Sequence, residues 1–404
     1  MPLHDRLSSR STRRAFLGRT AAGAAAALLA SSGRPRAEDS RAAAARIEKD
    51  LIVHETSPHN AEPALDKLVE SWITPLEHFY VRSHGNTPEI DPREYRLSVE
   101  GLIERPLRMG LAELRERFQP ASAVAALTCA GNRRREHSRT KPVGGVPWDA
   151  GAIGNARWAG AKLSDLLRAA GVRDGAKHVW LEGLDEIGHA GEIIPFGGSL
   201  PLARALADTG AAPGALLAWE MNEQPLAADH GFPLRAVVPG YIGARSVKWL
   251  GRIVVSDRPS PNHYVAEAYK LVTEGTPEEL ARTRPIYEYP LNAAICLPAE
   301  HTKLAAGTIR VRGYALPSGE PGRTISGVRV SADGGRSWMR AKITSPVREF
   351  CLVLWQAEVP VHAGVESLLV DAVESTGRSQ PETTPWNQKG YLYDARHRVP
   401  VRVG

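Results

Sequence analysis

Hydrophobic and polar positions follow two patterns over the first two thirds of the chain. Apolar runs bounded by turn residues predict strands, and apolar residues three and four positions apart predict amphipathic helices. Strands are expected at Tyr95–Val99, Val124–Leu127, Val179–Asp185 and Arg252–Val255, and helices at Leu111–Phe118 and around Leu163, Leu166 and Leu167. The alternation in Glu77–His84 predicts a half-buried strand, and the largely polar stretch Arg135–Gly145 predicts a loop.

Beyond residue 285 the pattern changes to short alternating runs separated by turns. These runs are Ala293–Cys296, Gly307–Ala315, Ile325–Ser331, Trp338–Ile343, Glu349–Ala357 and Ser367–Ala372. About seven strands of this kind predict an immunoglobulin-like sandwich. Residues 271–288 lack periodicity and predict a linker. The expected fold class is α+β, with a mixed α/β domain over residues 45–275 and an all-β sandwich domain over residues 285–404.

The positive charge of the chain is concentrated at its N-terminus. The 404 residues are 43% hydrophobic and carry a formal net charge of +6, which describes a soluble globular protein. Residues 1–37 contain seven arginines and one aspartate, which accounts for all of that charge. Because the remaining chain is neutral, its charge gives no reason to expect a nucleic-acid partner, and we expect none.

The N-terminal segment resembles a twin-arginine export signal. Arg13 and Arg14 precede an alanine-rich apolar run from Ala21 to Ala30. That run is far shorter than the roughly 20 residues that span a bilayer. Residues 1–37 are therefore predicted to be a signal peptide with cleavage near Ala37. The mature chain is expected to be periplasmic, exported in the folded state and without a transmembrane anchor.

The three cysteines, Cys129, Cys296 and Cys351, form no Cys-x-x-Cys pair. This spacing provides no ligand set for an iron–sulfur cluster and no attachment site for a c-type haem, so we expect no haem in this chain. Cys296 and Cys351 lie in apolar strand-like runs. They are expected to be buried free thiols, with a bridge between them as the alternative.

Cys129 lies in a different setting, the stretch Leu127-Thr128-Cys129-Ala130-Gly131-Asn132-Arg133-Arg134. The apolar run before it predicts a strand, and Gly131-Asn132 predicts a turn, so the thiol is expected at a strand-to-loop edge. Nearby cations stabilise a thiolate, which is both a nucleophile and a metal ligand. The alternative is a buried cysteine without chemistry.

Two segments resemble the sulfite oxidase family of molybdopterin oxidoreductases. Thr-Cys-Ala-Gly-Asn-Arg-Arg, from Thr128, is similar to the molybdenum-ligand segment of that family. The stretch Asp229–Trp249 is similar to its pterin-binding segment and supplies glycines and cations that suit a phosphate-bearing cofactor tail. It contains no Walker or Rossmann glycine pattern. With the export signal, the chain resembles the molybdenum subunit of bacterial sulfite dehydrogenases.

The resemblance implies a Mo-molybdopterin cofactor and a role for individual residues. Cys129 is implied as the ligand of the metal. Contacts with the cofactor are implied for His84, Asp185, His230, Arg235, Ser246, Val247 and Lys248. The substrate side is implied to contain Arg82, Arg134, Trp148, Tyr269 and Lys389. Three positions depart from the family pattern, because Gly144 and Ala268 replace a lysine and an aspartate, and Lys389 replaces an arginine and lacks its bidentate fork.

The activity implied by the resemblance is oxidation of sulfite to sulfate, with electrons passed to an external cytochrome c. The sandwich is implied to hold a homodimer together. Oxidation of sulfane sulfur on a carrier protein, again with a cytochrome partner, is the alternative within the family. Two other classes remain open at this point: a hydrolase that pairs Cys129 with His137 or His230, and a non-catalytic periplasmic binding protein.

Overall fold

The computed structural model describes residues 51–207 and 214–404. The expected signal peptide, residues 1–37, lies outside these ranges. In the part of the chain that the structure describes, no helix has the length and apolar character needed to cross a bilayer. The described chain consists of a mixed α/β part followed by a β-sandwich, as the sequence predicted.

The mixed α/β part is built on two five-stranded sheets. Its strands are β1 Leu51–Thr56, β2 His59–Pro63, β3 Leu97–Gly101, β4 Leu107–Met109, β5 Pro120–Thr128, β6 Ile153–Lys162, β7 His178–Gly183, β8 Ile187–His189, β9 Glu192–Ile194, β10 Gly197–Pro201, β11 Leu216–Met221, β12 Gln224–Pro225, β13 Arg235–Val237 and β14 Leu250–Ser256. One sheet has the strand order β10-β7-β14-β3-β4. The other has the order β12-β11-β6-β5, and β13 also pairs with β11.

Short helices connect these strands and the sandwich. The α-helices are Leu111–Arg117, Arg134–Thr140, Leu163–Ala170, Leu202–Leu206, His263–Ala266 and Pro277–Arg282, and the 3-10 helices are Leu65–Val69, Leu76–His78, Ala228–His230 and Gly243–Arg245. Leu163, Leu166 and Leu167 are fully buried in the same core cluster as the strand residues of the first sheet. Burial of a leucine side chain stabilises a fold by about 1.5–3 kcal/mol, so this face explains why the predicted amphipathic helix forms.

The second sheet brings Cys129 to its position. Strand β5 pairs with β6 along its whole length, from Pro120 opposite Ala161 to Thr128 opposite Ile153. Strand β6 approaches β11 so closely that a Cβ atom on Gly160 would lie 1.9 Å from the carbonyl oxygen of Leu217, which requires glycine there. Because β5 ends at Thr128, the thiol leaves the sheet at the end of the strand, and the predicted strand-to-loop edge is confirmed.

The strand predicted at Glu77–His84 is wrong. Its first residues belong to the 3-10 helix Leu76–His78, and within the described ranges the only pairing after it is the single bridge between Val81 and Ala61. Phe79, Tyr80 and Val81 are buried in succession. A half-buried strand would bury every second side chain, so this consecutive burial departs from the alternation on which the prediction rested.

The loop predicted at Arg135–Gly145 is also wrong, because helix Arg134–Thr140 occupies its first half. Glu136 in the first turn of this helix accepts hydrogen bonds from Arg133 Nε at 2.6 Å and Nη2 at 2.9 Å. Arg133 Nη1 in turn donates to Asn292 Oδ1 at 2.9 Å and to the carbonyl of Ala395 at 2.7 Å. These partners come from the sandwich, so a polar segment becomes a helix through contacts that the local pattern does not contain.

The predicted linker contains a helix as well. Pro277–Arg282 is helical, with proline in its first turn and Thr276 as its N-cap. The Thr276 hydroxyl accepts a hydrogen bond from the backbone N–H of Glu279 at 3.2 Å, which satisfies one of the free donors of the first turn. The sequence contains the capping signal of this helix. It contains no hydrophobic periodicity there, because no residue of the helix is buried.

The C-terminal part is a sandwich of two four-stranded sheets. Its strands are β15 Asn292–Leu297, β16 Lys303–Leu304, β17 Gly307–Leu316, β18 Ile325–Ser331, β19 Met339–Arg340, β20 Lys342–Ile343, β21 Val353–Val361, β22 Ser367–Glu374, β23 His397–Pro400 and β24 Arg402–Val403. The sheet orders are β15-β17-β21-β20 and β19-β18-β22-β23. One core cluster, which includes Val330, Trp355 and Val370, draws its side chains from both sheets. The prediction of an all-β sandwich is confirmed.

Candidate active site

Cys129 lies at the wall of a cavity with about 690 Å³ of empty space. Its side chain is buried, and the backbone N–H of Gly131 donates a hydrogen bond to Sγ at 3.4 Å. Its own N–H donates to the carbonyl of Ala152 at 2.9 Å, which holds the residue against the start of β6. All three cysteines are free, so the expectation of free thiols at Cys296 and Cys351 is confirmed.

Ten of the residues that the sequence selected line this cavity together. They are Arg82, His84, Cys129, Asp185, His230, Arg235, Ser246, Val247, Lys248 and Tyr269. They come from five separate segments of the chain, and the sheets bring the ends of these segments to one place. These ten residues thus contribute one thiol, several cations, two imidazoles and one phenol.

One side of the cavity holds the buried cationic groups of Lys248 and Arg235. Lys248 Nζ donates to Ser83 Oγ at 2.7 Å and to the carbonyl of Asp229 at 2.8 Å. Burial lowers the pKa of Lys248 to about 7, with repulsion from Arg235 as the next cause. Burial also lowers the pKa of Arg235 to about 10. The cost of keeping these charges away from water favours an anion as the occupant of this side.

Arg235 and His230 define the floor of the same side. Arg235 donates to the carbonyl of His230 at 2.8 Å and to the carbonyl of Ser246 at 3.0 Å. Burial lowers the pKa of His230 to about 3, so its ring is neutral. The buried Nε2 of His230 has no hydrogen-bond partner among the residues that the structure describes. Because an unpaired buried polar atom costs about 1–3 kcal/mol, this nitrogen is expected to be satisfied by a bound group.

The other side of the cavity is formed by Arg82, His84 and Tyr269. His84 Nε2 lies 2.8 Å from Tyr269 Oη, and Arg82 Nη2 lies 3.1 Å from the same nitrogen. Burial, followed by the charge of Arg82, holds the pKa of His84 well below its usual value. Burial, followed by the neighbouring Tyr391, holds the pKa of Tyr269 well above its usual value. At neutral pH this side therefore presents a neutral imidazole, a neutral phenol and one guanidinium.

Arg134 lies next to the cavity lining. Its Nη1 donates to the carbonyl of Val146 at 2.7 Å and its Nε to the carbonyl of Lys389 at 3.0 Å. The guanidinium carbon lies 5.2 Å from the centre of the Tyr391 ring. Tyr391 stacks on Tyr269, with ring centroids 5.2 Å apart, so the Tyr391 ring links Arg134 to a residue of the cavity wall. The structure holds this guanidinium in one orientation.

Trp148 and Lys389 complete the set of predicted residues. Trp148 is fully buried, packs its edge against His54 at a centroid distance of 5.1 Å and belongs to the same apolar cluster as Cys129. It supports the wall behind the thiol and is not among the cavity-lining residues. Lys389 is exposed, and its backbone carbonyl is the group that contacts Arg134.

Sequence reasoning missed several residues of the site. Tyr80, Ser83, Phe196, Asp229 and Trp249 also line the cavity. Ser83 stands between two selected residues, and Asp229 and Trp249 are the ends of a selected stretch, so adjacency was the available signal. No local pattern distinguishes them from ordinary buried residues.

Asp185 and Asp229 provide the carboxylates of the cavity. Burial raises the pKa of Asp185, whose Oδ1 accepts a hydrogen bond from the N–H of Phe196 at 3.2 Å. Asp229 accepts hydrogen bonds from Thr87 at 2.5 Å and from His59 at 2.9 Å. Burial would raise the pKa of Asp229, but these two hydrogen bonds, together with the charges of Lys248 and His59, outweigh it and the net shift is downward. Asp185 is thus the better acceptor for a ligand N–H, since Asp229 is already engaged.

This donor set fits a molybdopterin group. A soft thiolate suits a metal that is already bound by sulfur, and the buried cations with the unpaired His230 nitrogen suit a phosphate-bearing tail. The model for the oxidoreductase molybdopterin binding domain matches residues 84–264, and the model for the Mo-co oxidoreductase dimerisation domain matches residues 283–404. Fold, site and matches together define a molybdopterin oxidoreductase.

Sequence relatives show to which family of molybdopterin oxidoreductases the chain belongs. The chain is 42% identical to sulfite oxidase of Gallus gallus over 378 residues, which cover 90% of this chain and 80% of the relative. It is 36% identical to sulfite oxidase of Arabidopsis thaliana, with 88% of this chain and 94% of the relative covered. The chain belongs to the sulfite oxidase family. It spans 62% of the length of the Drosophila melanogaster enzyme, so longer members also exist.

A solved structure gives the same result for the fold. The sulfane dehydrogenase SoxCD from Paracoccus pantotrophus aligns with a TM-score of 0.73 and 25% identity, over 95% of this chain and 96% of that chain. Because the chain belongs to an oxidoreductase family, the two alternatives from the sequence, a cysteine hydrolase and a non-catalytic binding protein, lose their support. Consistently, His137 Nε2 lies 3.2 Å from the carbonyl of Tyr391, which occupies that ring nitrogen.

Proposed function

We propose that this protein oxidises sulfite to sulfate with a molybdopterin-bound molybdenum. The observation that carries the proposal is the position of Cys129 at the wall of a cavity that is also lined by buried cations and by Arg82, His84 and Tyr269. The sulfite oxidases among its relatives support sulfite as the substrate. Sulfite is a small anion, which suits a pocket bordered by guanidinium groups.

In this proposal Cys129 ligates molybdenum and the cationic side holds the cofactor. Arg235, Lys248 and His230 would hold the phosphate-bearing tail, with Lys248 regaining its full charge beside that anion. Ser246 and Val247 would contact the tail from the same stretch. Asp185 would accept hydrogen bonds from the pterin, and His84 would contact it from the other side. When bound, the cofactor supplies the two-electron redox chemistry, which no side chain here provides.

The residues of the substrate side would orient the anion and attract it with their positive charge. Arg82 and Arg134 would attract sulfite, and Lys389 would add a charge from the surface without the fork of an arginine. Tyr269 keeps its proton because burial raises its pKa, so its hydroxyl would donate a hydrogen bond toward substrate. Trp148 would act by packing behind Cys129. In becoming sulfate, sulfite takes up the oxygen of one water molecule and gives up two electrons, and that water releases two protons.

Electrons would then leave for an external cytochrome c. The absence of a Cys-x-x-Cys pair supports an acceptor outside this chain, as does the structural likeness to SoxCD. The match to a dimerisation domain supports a homodimer through the sandwich, closed by a two-fold axis. The twin-arginine pattern of residues 1–37 supports export in the folded state and a periplasmic location.

Elemental analysis and turnover test the proposal together. Purified protein is expected to contain about one molybdenum per chain and to reduce cytochrome c when sulfite is added. Folded protein that still lacks molybdenum after expression in cells that supply the cofactor would contradict the proposal.

Oxidation of carrier-bound sulfane sulfur is the second candidate, favoured by the SoxCD likeness over nearly the whole chain. A molybdenum-loaded enzyme that ignores sulfite but oxidises a persulfidated carrier protein would establish this second function.

A further inference from the structure

Two histidines and a glutamate meet outside the cavity just described. His189 ends β8, His263 opens the helix His263–Ala266 and Glu267 follows that helix directly. One nitrogen from each imidazole and one carboxylate oxygen lie within 4.8 Å of one another. The imidazole rings have centroids 3.8 Å apart, and His263 Nδ1 lies 3.1 Å from Glu267 Oε2.

We propose that His189, His263 and Glu267 form a second metal site, for a divalent ion of the zinc or copper class. Imidazole nitrogens suit zinc and copper, and a carboxylate is a common third ligand. With metal–ligand bonds of about 2.0–2.2 Å, tetrahedral ligands lie roughly 3.3–3.5 Å apart. The three atoms therefore need to close by little more than 1 Å.

The surroundings permit that closure. The side chain of Glu267 is 56% exposed and that of His263 is 23% exposed, so both can change rotamer without repacking a core. His189 lies at the tip side of the β8-β9 hairpin, whose strands have three residues each. In the metal-free arrangement the His263–Glu267 hydrogen bond keeps two of the three ligands together. A bound ion would replace the proton of that hydrogen bond and keep its fourth position open to water.

The site is distinct from the proposed molybdenum site but adjoins its cavity. The ring of His263 contacts Tyr264 at a centroid distance of 5.2 Å, and Tyr264 contacts His84 at 4.5 Å. Only one aromatic ring thus separates the two histidines His263 and His84. Neither the ligands nor the argument for them depends on sulfite as the substrate.

Metal binding by the molybdenum-loaded, tag-free enzyme tests the proposal. Calorimetric titration with Zn²⁺ is expected to give one ion per chain, and Co²⁺ is expected to give visible bands of low coordination number. His189→Ala and Glu267→Gln are each expected to weaken Zn²⁺ binding by at least about 10–100-fold, the usual effect of disturbing a metal shell. His301→Ala, which removes another surface histidine, is the matched control and is expected to change nothing.

Three controls keep the result interpretable. Thermal unfolding in the presence of a chelator shows whether each variant is folded. Zn²⁺ should raise the unfolding temperature of the wild type and leave that of the two ligand variants unchanged. Cys129→Ser should retain the Zn²⁺ site, which separates it from adventitious binding at the catalytic thiol. Equal affinity in wild type, His189→Ala and Glu267→Gln, or no Zn²⁺ binding at micromolar concentration, would overturn the proposal.

Discussion

Gly131→Ala tests the orientation of Arg134 without removing its charge. A Cβ atom at Gly131 would lie 2.4 Å from Arg134 Nη2 and 2.6 Å from its Cζ. Ordinary contacts of a Cβ atom are 3.4–4 Å long, so the guanidinium must move by about 1 Å. The backbone of Gly131 keeps a negative φ, and its N–H can still donate to Cys129 Sγ.

A displacement of this size has a calculable effect if Arg134 binds sulfite. Misplacing a catalytic group by about 1 Å can cost up to about 100-fold in rate, which equals roughly 2.7 kcal/mol of transition-state stabilisation. We expect kcat/KM for sulfite to fall by about 10–100-fold. Overpacking should also lower the free energy of unfolding by about 1–3 kcal/mol. Molybdenum content should stay at the wild-type value because the thiol is unchanged.

The assay is steady-state reduction of cytochrome c at varied sulfite, with molybdenum measured in each preparation. Gly144→Ala is the matched control, since a Cβ atom there meets no atom within 4 Å among the described residues. If Gly131→Ala keeps the wild-type kcat/KM while its free energy of unfolding falls as expected, Arg134 does not act on sulfite. An equal loss in both variants would show that the loop as a whole, rather than Arg134, is responsible.

Three further predictions concern the metal ligand, the substrate side and the cofactor side. Cys129→Ser should abolish turnover while pterin content and far-ultraviolet circular dichroism stay near wild type, because a hard oxygen replaces a soft thiolate and leaves the tail contacts in place. Lys389→Arg should hold or lower KM for sulfite in steady-state assays by adding a bidentate fork, and a higher KM would refute a substrate role. In cofactor-free protein the pKa of Lys248 is lowered from 10.5 to about 7, so the unfolded chain binds one more proton between these values and stability should rise with pH there. The slope is at most about 1.4 kcal/mol per pH unit, and denaturant unfolding at several pH values should show it in the wild type and not in Lys248→Met.

Much of the fold could be predicted because its signals are local. The apolar run before Cys129 and the Gly131-Asn132 turn after it place the thiol at a strand end, and both lie within a few residues. The leucine spacing of helix Leu163–Ala170 and the alternating runs of the sandwich are local in the same sense. The segments of the site were found for a related reason, since each resembles a family segment as a continuous stretch.

Where local signals are outweighed by distant contacts, the sequence predictions failed. Helix Arg134–Thr140 replaces a predicted loop because Arg133, which binds Glu136 of this helix, also donates to Asn292 and Ala395, more than 150 residues away. The strand expected at Glu77–His84 does not form, and neighbouring elements cover Phe79, Tyr80 and Val81 together instead of every second side chain. The pattern of polar residues within a segment does not show which distant residues will pack against that segment.

The sequence alone determined the fold class and the strand-end position of Cys129, since each depends on residue types within short windows, whereas the structure decided that Cys296 and Cys351 are free thiols. Only the tertiary structure decided which candidates share a cavity. His84 meets Tyr269 across 185 positions, and Arg134 meets the carbonyl of Lys389 across 255. It also decided that Trp148 supports the wall from behind. Side-chain contacts over such separations follow from how the sheets and the sandwich pack, and no periodicity along the chain encodes that packing.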